Sequence, residues 1–157
     1  MKTIGILGGG QLGMMLLEAY QLSDIKDQIS DIKFLEQSKD CSVGTINPDL
    51  VTVGDFKNFE DVYEFGKAMD IVTVEIEHVN VEALEKLESE GVEVYPSPAV
   101  LRVVQDKGLQ KAFYAEHGIP TSAFNLVENK SEILSSSNLI RGSRDIPKLD
   151  CPIKSDN

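Results

Sequence analysis

The sequence predicts an α/β fold: a parallel sheet covered by helices, then a helix pair and an irregular tail. Three observations predict it. Short, nearly all-apolar runs recur through roughly the first hundred residues, as buried parallel strands do. Segments with apolar residues at helical spacing alternate with them, and the connections are short. The first run, "IGILGGGQLG", ends in glycines, and a helix opens at once.

Each element follows in order. Residues 3–7 read as the first strand and 11–22 as the first helix. Residues 32–35 and 50–53 read as the second and third strands. Asn58 is an N-cap, with Asp61 three residues on. Phe59, Val62, Phe65 and Met69 then recur on one helical face. Residues 71–74 are a fourth strand. Asn80 caps the next helix, which buries Val81, Leu84 and Leu87 and stops at Gly91. Residues 92–95 are a fifth strand. Ser97 then caps a turn with Pro98 at the first helical position. A last helix covers 106–117, with Leu109, Ala112 and Phe113 as its face, and Gly118 and Pro120 end it. "SDIK" occurs at Ser23 and again at Ser30. Two copies do not make a coiled coil, and the repeat reads as a duplication in a surface connection.

Composition narrows the function. The 157 residues suffice for one domain with a real core. Hydrophobic residues make up 41% and charged ones 26%, the balance of a globular domain. No apolar run reaches the ~20 residues of a membrane helix, and the start lacks a signal peptide's long apolar segment. Cys41 and Cys151 form neither a disulfide framework nor a metal-binding spacing. A cytoplasmic protein with no membrane partner is expected. The net charge of −11 argues against nucleic acid, whose binders need a basic stripe. It leaves room for a small anion, which a helix N-terminus can hold locally.

Gly8, Gly10 and Gly13 fit G-x-G-x-x-G in its proper setting, after a strand and opening a helix. The first glycine allows a tight turn, the second a close approach to an anion, and the third close packing of helix on strand. Glu36 ends the second strand, where a dinucleotide site places a carboxylate for ribose hydroxyls. Three readings stay open on these residues: an NAD(P)-binding oxidoreductase domain, a non-catalytic nucleotide-binding module, and a purely structural turn with a solvated Glu36.

Two more stretches accompany the glycine turn: "DIVTVEIEHVN" from Asp70 and "PSPAVLRVVQDKGLQKAFYAEHGIPT" from Pro96. In this order and spacing, over about residues 1–130, they resemble the N-terminal part of N5-carboxyaminoimidazole ribonucleotide synthetases. These are ATP-grasp ligases of purine biosynthesis. The resemblance implies a Rossmann-like pre-ATP-grasp domain over 1–97, and linker helices with the start of an ATP-grasp domain over 98–134. It implies use of ATP, with Mg²⁺, to activate bicarbonate as carboxyphosphate and carboxylate 5-aminoimidazole ribonucleotide. It implies that the glycine turn faces this ribonucleotide, through Gly8, Gly10, Gln11 and Leu12. Glu75 would face the same substrate, and Lys107 would touch ATP phosphate. A homodimer is implied for the full-length enzyme. "EHVN" departs from the family pattern: His78 stands where asparagine is common, and Asn80 where proline is. His78 therefore reads as a local hydrogen-bonding residue. His117 reads as compensating a helix C-terminus. Glu36 receives no role.

The family's later features, a second ATP lysine, a glycine-rich loop and carboxylates for Mg²⁺, are not in these residues. No catalytic residue and no metal ligand is therefore expected in this chain, and the chain alone is expected to be inactive. Residues 135–157 carry four Lys and Arg against three Asp, and their apolar residues follow no period. They read as poorly ordered, a truncation scar or a shifted frame, with the resemblance fading near Leu134.

Overall fold

Five parallel strands form one sheet in the order β3-β2-β1-β4-β5. The computed structural model describes residues 1–24, 28–122 and 124. The tail expectation for 135–157 falls outside them. The strands are β1 (Lys2–Leu7), β2 (Ile29–Glu36), β3 (Val51–Val53), β4 (Ile71–Val74) and β5 (Glu93–Tyr95). The helices are α1 (Gln11–Leu22), α2 (Ser42–Ile46), α3 (Phe59–Gly66), α4 (Val81–Ser89), α5 (Pro98–Gln105) and α6 (Lys107–Glu116). The order is that of a doubly wound sheet, in which the chain starts centrally, winds one way, then crosses over and winds the other.

The pleat of β1 divides its residues between two cores. Ile4 and Ile6 pack with Leu17 of α1, Val43 of α2, and Ile32 and Phe34 of β2. Leu7 packs on the other face with Val62 and Phe65 of α3, Leu84 and Leu87 of α4, and Val72 of β4. Gly5 belongs to that second face too. A Cβ there would stand 2.8 Å from Phe65 Cε1, so the glycine lets α3 approach the sheet.

The caps predicted at Asn58 and Asn80 form. Asn58 Oδ1 accepts from the Asp61 amide at 3.1 Å, and Asn80 Oδ1 from the Ala83 amide at 2.8 Å. Gly91 has φ +97°, the left-handed region in which a helix is readily stopped. Asp106 caps α6 through the Gly108 and Leu109 amides.

Two readings need correction, and two features are new. The second "SDIK" copy lies in β2, with Asp31 opposite Thr3 and Ile32 opposite Ile4. Ile32 is buried while Asp31 and Lys33 pair at 3.4 Å, so alternation, not duplication, explains the text. Met69 lies past the end of α3, whose last residue is Gly66, yet still packs on the core. The helix α2 is an addition, capped by Cys41 Sγ accepting from the Gly44 amide at 3.3 Å. In α6 the apolar face stays uncovered, with Leu109 and Phe113 exposed, and Lys111 is the buried residue. Its Nζ donates to the Thr121 and Ser122 hydroxyls at 2.7 and 2.9 Å.

The chain divides into two compact units between Arg102 and Val103. The first holds the whole sheet. The second begins with the end of α5 and contains α6.

Candidate functional site

In a doubly wound sheet, ligands bind outside the carboxyl ends of the strands where the winding direction reverses. Here that point lies between β1 and β4, which pair directly from Ile4 opposite Ile71 to Leu7 opposite Val74. The glycine turn leaves β1 at this point, and Glu75 leaves β4 beside it. The backbone fixes both: the Gly8 amide donates to Leu35 O at 3.0 Å, and the Glu75 amide to Leu7 O at 2.9 Å.

Two of the three motif glycines, Gly8 and Gly13, are required by what surrounds them. Gly8 has φ +111°, and a Cβ there would run into the Glu75 carboxylate. A Cβ on Gly10 would stand 3.6 Å from Glu75 Oε1, an ordinary contact. Gly13 lets α1 start close to the strand, since its Cβ would lie 2.8 Å from Gly8 O. Gly8 and Gly9 are buried, whereas Gln11 and Leu12 are exposed at the first turn of α1.

Two carboxylates converge on this turn. The Glu75 carboxylate accepts a hydrogen bond from the Leu12 backbone. Glu36, at the end of β2, accepts from the Gly9 amide at 2.9 Å through Oε2, and from the Gln37 amide at 2.8 Å through Oε1. Burial and the nearby Glu36 charge hold the Glu75 carboxyl above its ordinary value, and the Leu12 hydrogen bond offsets part of this. Glu36 received no role from the sequence. Its position at the end of the second strand was the available signal, and the structure brings it against Gly9.

The structure thus gathers Gly8, Gly10, Leu12 and Glu75 at one place, with Gln11 following in the same turn. Lys107 belongs to the other unit, as the first residue of α6, and its Nζ donates to Gln110 Oε1 at 3.1 Å. His78 is exposed, its Nε2 3.6 Å from Glu77 Oε1. His117 Nδ1 lies 2.9 Å from Phe113 O at the end of α6, and its ring stacks on Phe113 at 4.1 Å. Among the described residues, no group of three or more His, Cys, Asp or Glu side chains could hold a metal ion, so these residues do not fit a magnesium site. No described helix is long and apolar enough to cross a membrane.

Comparison with known proteins agrees with this fold. Residues 1–105 match the family described as ribonucleotide synthetase preATP-grasp domain. A phosphoribosylaminoimidazole carboxylase of Candida albicans is 37% identical over 132 residues, which are 83% of this chain and 22% of that protein. An N5-carboxyaminoimidazole ribonucleotide synthase of Brucella melitensis is 34% identical, over 94% of this chain and 39% of that protein. The latter alignment enters the tail, past Leu134, where the sequence reading has the resemblance fade. The solved N5-carboxyaminoimidazole synthase of Aspergillus clavatus, in complex with ADP and 5-aminoimidazole ribonucleotide, has a TM-score of 0.75 at 34% identity. It covers 88% of this chain and 36% of that one. The chain therefore spans a minor part of the length of these relatives.

Proposed function

Since this chain belongs to the ribonucleotide synthetase preATP-grasp family, we propose that it is the ribonucleotide-facing portion of an ATP-dependent ligase. The complete enzyme would carboxylate 5-aminoimidazole ribonucleotide with bicarbonate in purine biosynthesis. One observation carries this: the Glu75 carboxylate is held over the glycine turn at the reversal point of the sheet. A carboxylate there accepts hydrogen bonds from the amine and hydroxyl groups of an aminoimidazole nucleoside. Gln11, exposed beside it, both donates and accepts. Gly10 and Leu12 bring backbone close to the ligand without a bulky obstruction. The ribonucleotide in the Aspergillus clavatus complex supports the substrate class.

The same reading assigns Lys107 to ATP phosphate as a point charge. It makes the complete enzyme a cytoplasmic homodimer that uses Mg²⁺ and bicarbonate, with the metal ligands outside the residues described here. This chain alone is then inactive: it should show no bicarbonate-dependent ATP hydrolysis with 5-aminoimidazole ribonucleotide. The oxidoreductase alternative is disfavoured by the ribonucleotide synthetase family match over residues 1–105.

A thermal-unfolding comparison tests the reading. A ligand at ~100 times its Kd raises stability by ~2.7 kcal/mol. We expect 5-aminoimidazole ribonucleotide to raise the midpoint and NADH to leave it in place. Stabilisation by NADH alone would overturn the ligase reading in favour of a dinucleotide site.

A further inference from the structure

Lys111 is the buried charged side chain among the described residues, 9% exposed. The site at the glycine turn makes no use of it. A buried ammonium must place its hydrogens on acceptors. Lys111 Nζ donates to Thr121 Oγ1 at 2.7 Å and to Ser122 Oγ at 2.9 Å, ten and eleven residues later in the chain.

The end of α6 makes that reach possible. The Gly118 amide donates to Ala115 O at 3.3 Å and the Ile119 amide to Tyr114 O at 2.8 Å, with Gly118 at φ +64°. This pattern closes a helix and turns the chain out of it. Lys111 lies about 10 Å before Gly118 along the helix axis. Thr121 and Ser122 meet its ammonium because the chain doubles back along α6.

Lys107 and Lys111 are four residues apart, so they share a face of α6. Long side chains on a helix lean toward its N-terminus, which carries the Lys111 ammonium toward the turn that holds Lys107. Leu109 and Phe113 stand two positions to either side of Lys111, on the opposite face. The returning segment therefore runs on the cationic side of α6 and leaves the apolar stripe open. Lys107 is exposed, and its Nζ meets a neutral acceptor, Gln110 Oε1, at 3.1 Å. All of these residues belong to the second unit.

We propose that Lys111 is a positioning residue for the phosphate contact of Lys107. Its ammonium pins Thr121 and Ser122 to the face of α6 that carries that lysine. Its own charge, little screened because it is buried, adds to the attraction for an anion there. The proposal rests on the reading that Lys107 meets ATP phosphate, and it adds a second cation and a fixed wall to that contact. Lys111 itself touches no phosphate in this arrangement.

The test is NMR on the full chain, with lysine ammonium groups and backbone amides resolved and inorganic tripolyphosphate as the probe. In the parent, the Lys111 ammonium should give a slowly exchanging signal with cross-peaks to the Thr121 and Ser122 side chains. Tripolyphosphate should shift the Lys107 ammonium and the Thr121 and Ser122 amides together. Lys111→Met should lower the order parameters of those two amides to about 0.6 or below. It should also weaken tripolyphosphate by about threefold or more. Lys111→Arg, which keeps charge and donors, should restore part of both. Thr121→Val with Ser122→Ala should loosen the segment equally and weaken the probe less, because the charge stays. Missing cross-peaks in the parent, or order parameters unchanged in the variants, overturn the proposal and leave the Lys107 reading standing. So does a tripolyphosphate affinity equal in the parent and Lys111→Met. No shift of Lys107 with tripolyphosphate overturns that reading and the proposal together. If Lys111→Met fails to fold, the parent's cross-peaks and the hydroxyl double variant decide.

Discussion

Glu36 and Glu75 meet at one glycine turn from opposite neighbours of β1, the first holding the Gly9 amide and the second filling the space beside Gly8. The consequence is a carboxyl, that of Glu75, whose protonation is favoured by burial and by Glu36. A carboxyl with a folded value above its unfolded one binds more protons folded than unfolded. Its contribution to stability is present below the unfolded value and is lost as pH rises through the folded one. Glu75→Gln should therefore flatten the fall in stability as pH rises through the ordinary carboxyl range and above it, measured by urea unfolding. In Glu36→Gln, a carboxyl-detected NMR titration should place the Glu75 midpoint lower than in the parent. An unchanged midpoint would mean that the two charges do not interact.

Gly8 and Gly10 should respond differently to the same methyl group. Gly8→Ala forces a side chain into φ +111° and into the Glu75 carboxylate. A loss of roughly 1–3 kcal/mol is expected in urea unfolding. Gly10→Ala meets Glu75 Oε1 only at 3.6 Å, so stability should change little while nucleoside affinity falls. Equal stability losses at the two positions would contradict this account of the turn.

The Asn80 side chain does two jobs at the entry to α4. Oδ1 caps the Ala83 amide at 2.8 Å, and Nδ2 donates to Lys57 O at 3.1 Å. Asn80→Ala should cost about 1 kcal/mol in chemical denaturation, and Asn80→Asp, which keeps the cap, should cost less. Because Asn80 follows Glu75 in the same connection, the Ala variant should also loosen that segment, seen as faster amide exchange at Val79.

The sheet was legible because β1 and β4 are short, largely apolar runs that pair directly and contribute to the cores on both faces. Asn58, Asn80 and Gly91 marked their helix ends through local chemistry alone, which needs no tertiary context. The helix α2 escaped notice for the opposite reason. It has five residues, its cap is a thiol, and Val43 is its one buried large apolar side chain. The apolar stripe of α6 followed from its period, with Leu109 and Phe113 exposed on it, but the burial of Lys111 against hydroxyls from Thr121 and Ser122 did not. Periodicity finds an apolar stripe; it does not say that anything covers it. At the site, Glu75 and the glycines followed from motif and position. The part played by Glu36 did not, because whether a strand-end carboxylate faces a ribose or a backbone amide depends on a side-chain approach across two strands.

The central claim is that the turn between β1 and α1, with Glu75, binds an aminoimidazole ribonucleotide. The most direct measurement is isothermal titration of 5-aminoimidazole ribonucleotide into the chain and into Glu75→Gln, with NADH as the parallel ligand. The account predicts saturable binding of the ribonucleotide, weakened about tenfold or more in Glu75→Gln, and no heat of binding with NADH. Ribonucleotide affinity indifferent to Glu75→Gln, or saturable binding of NADH in its place, would contradict it.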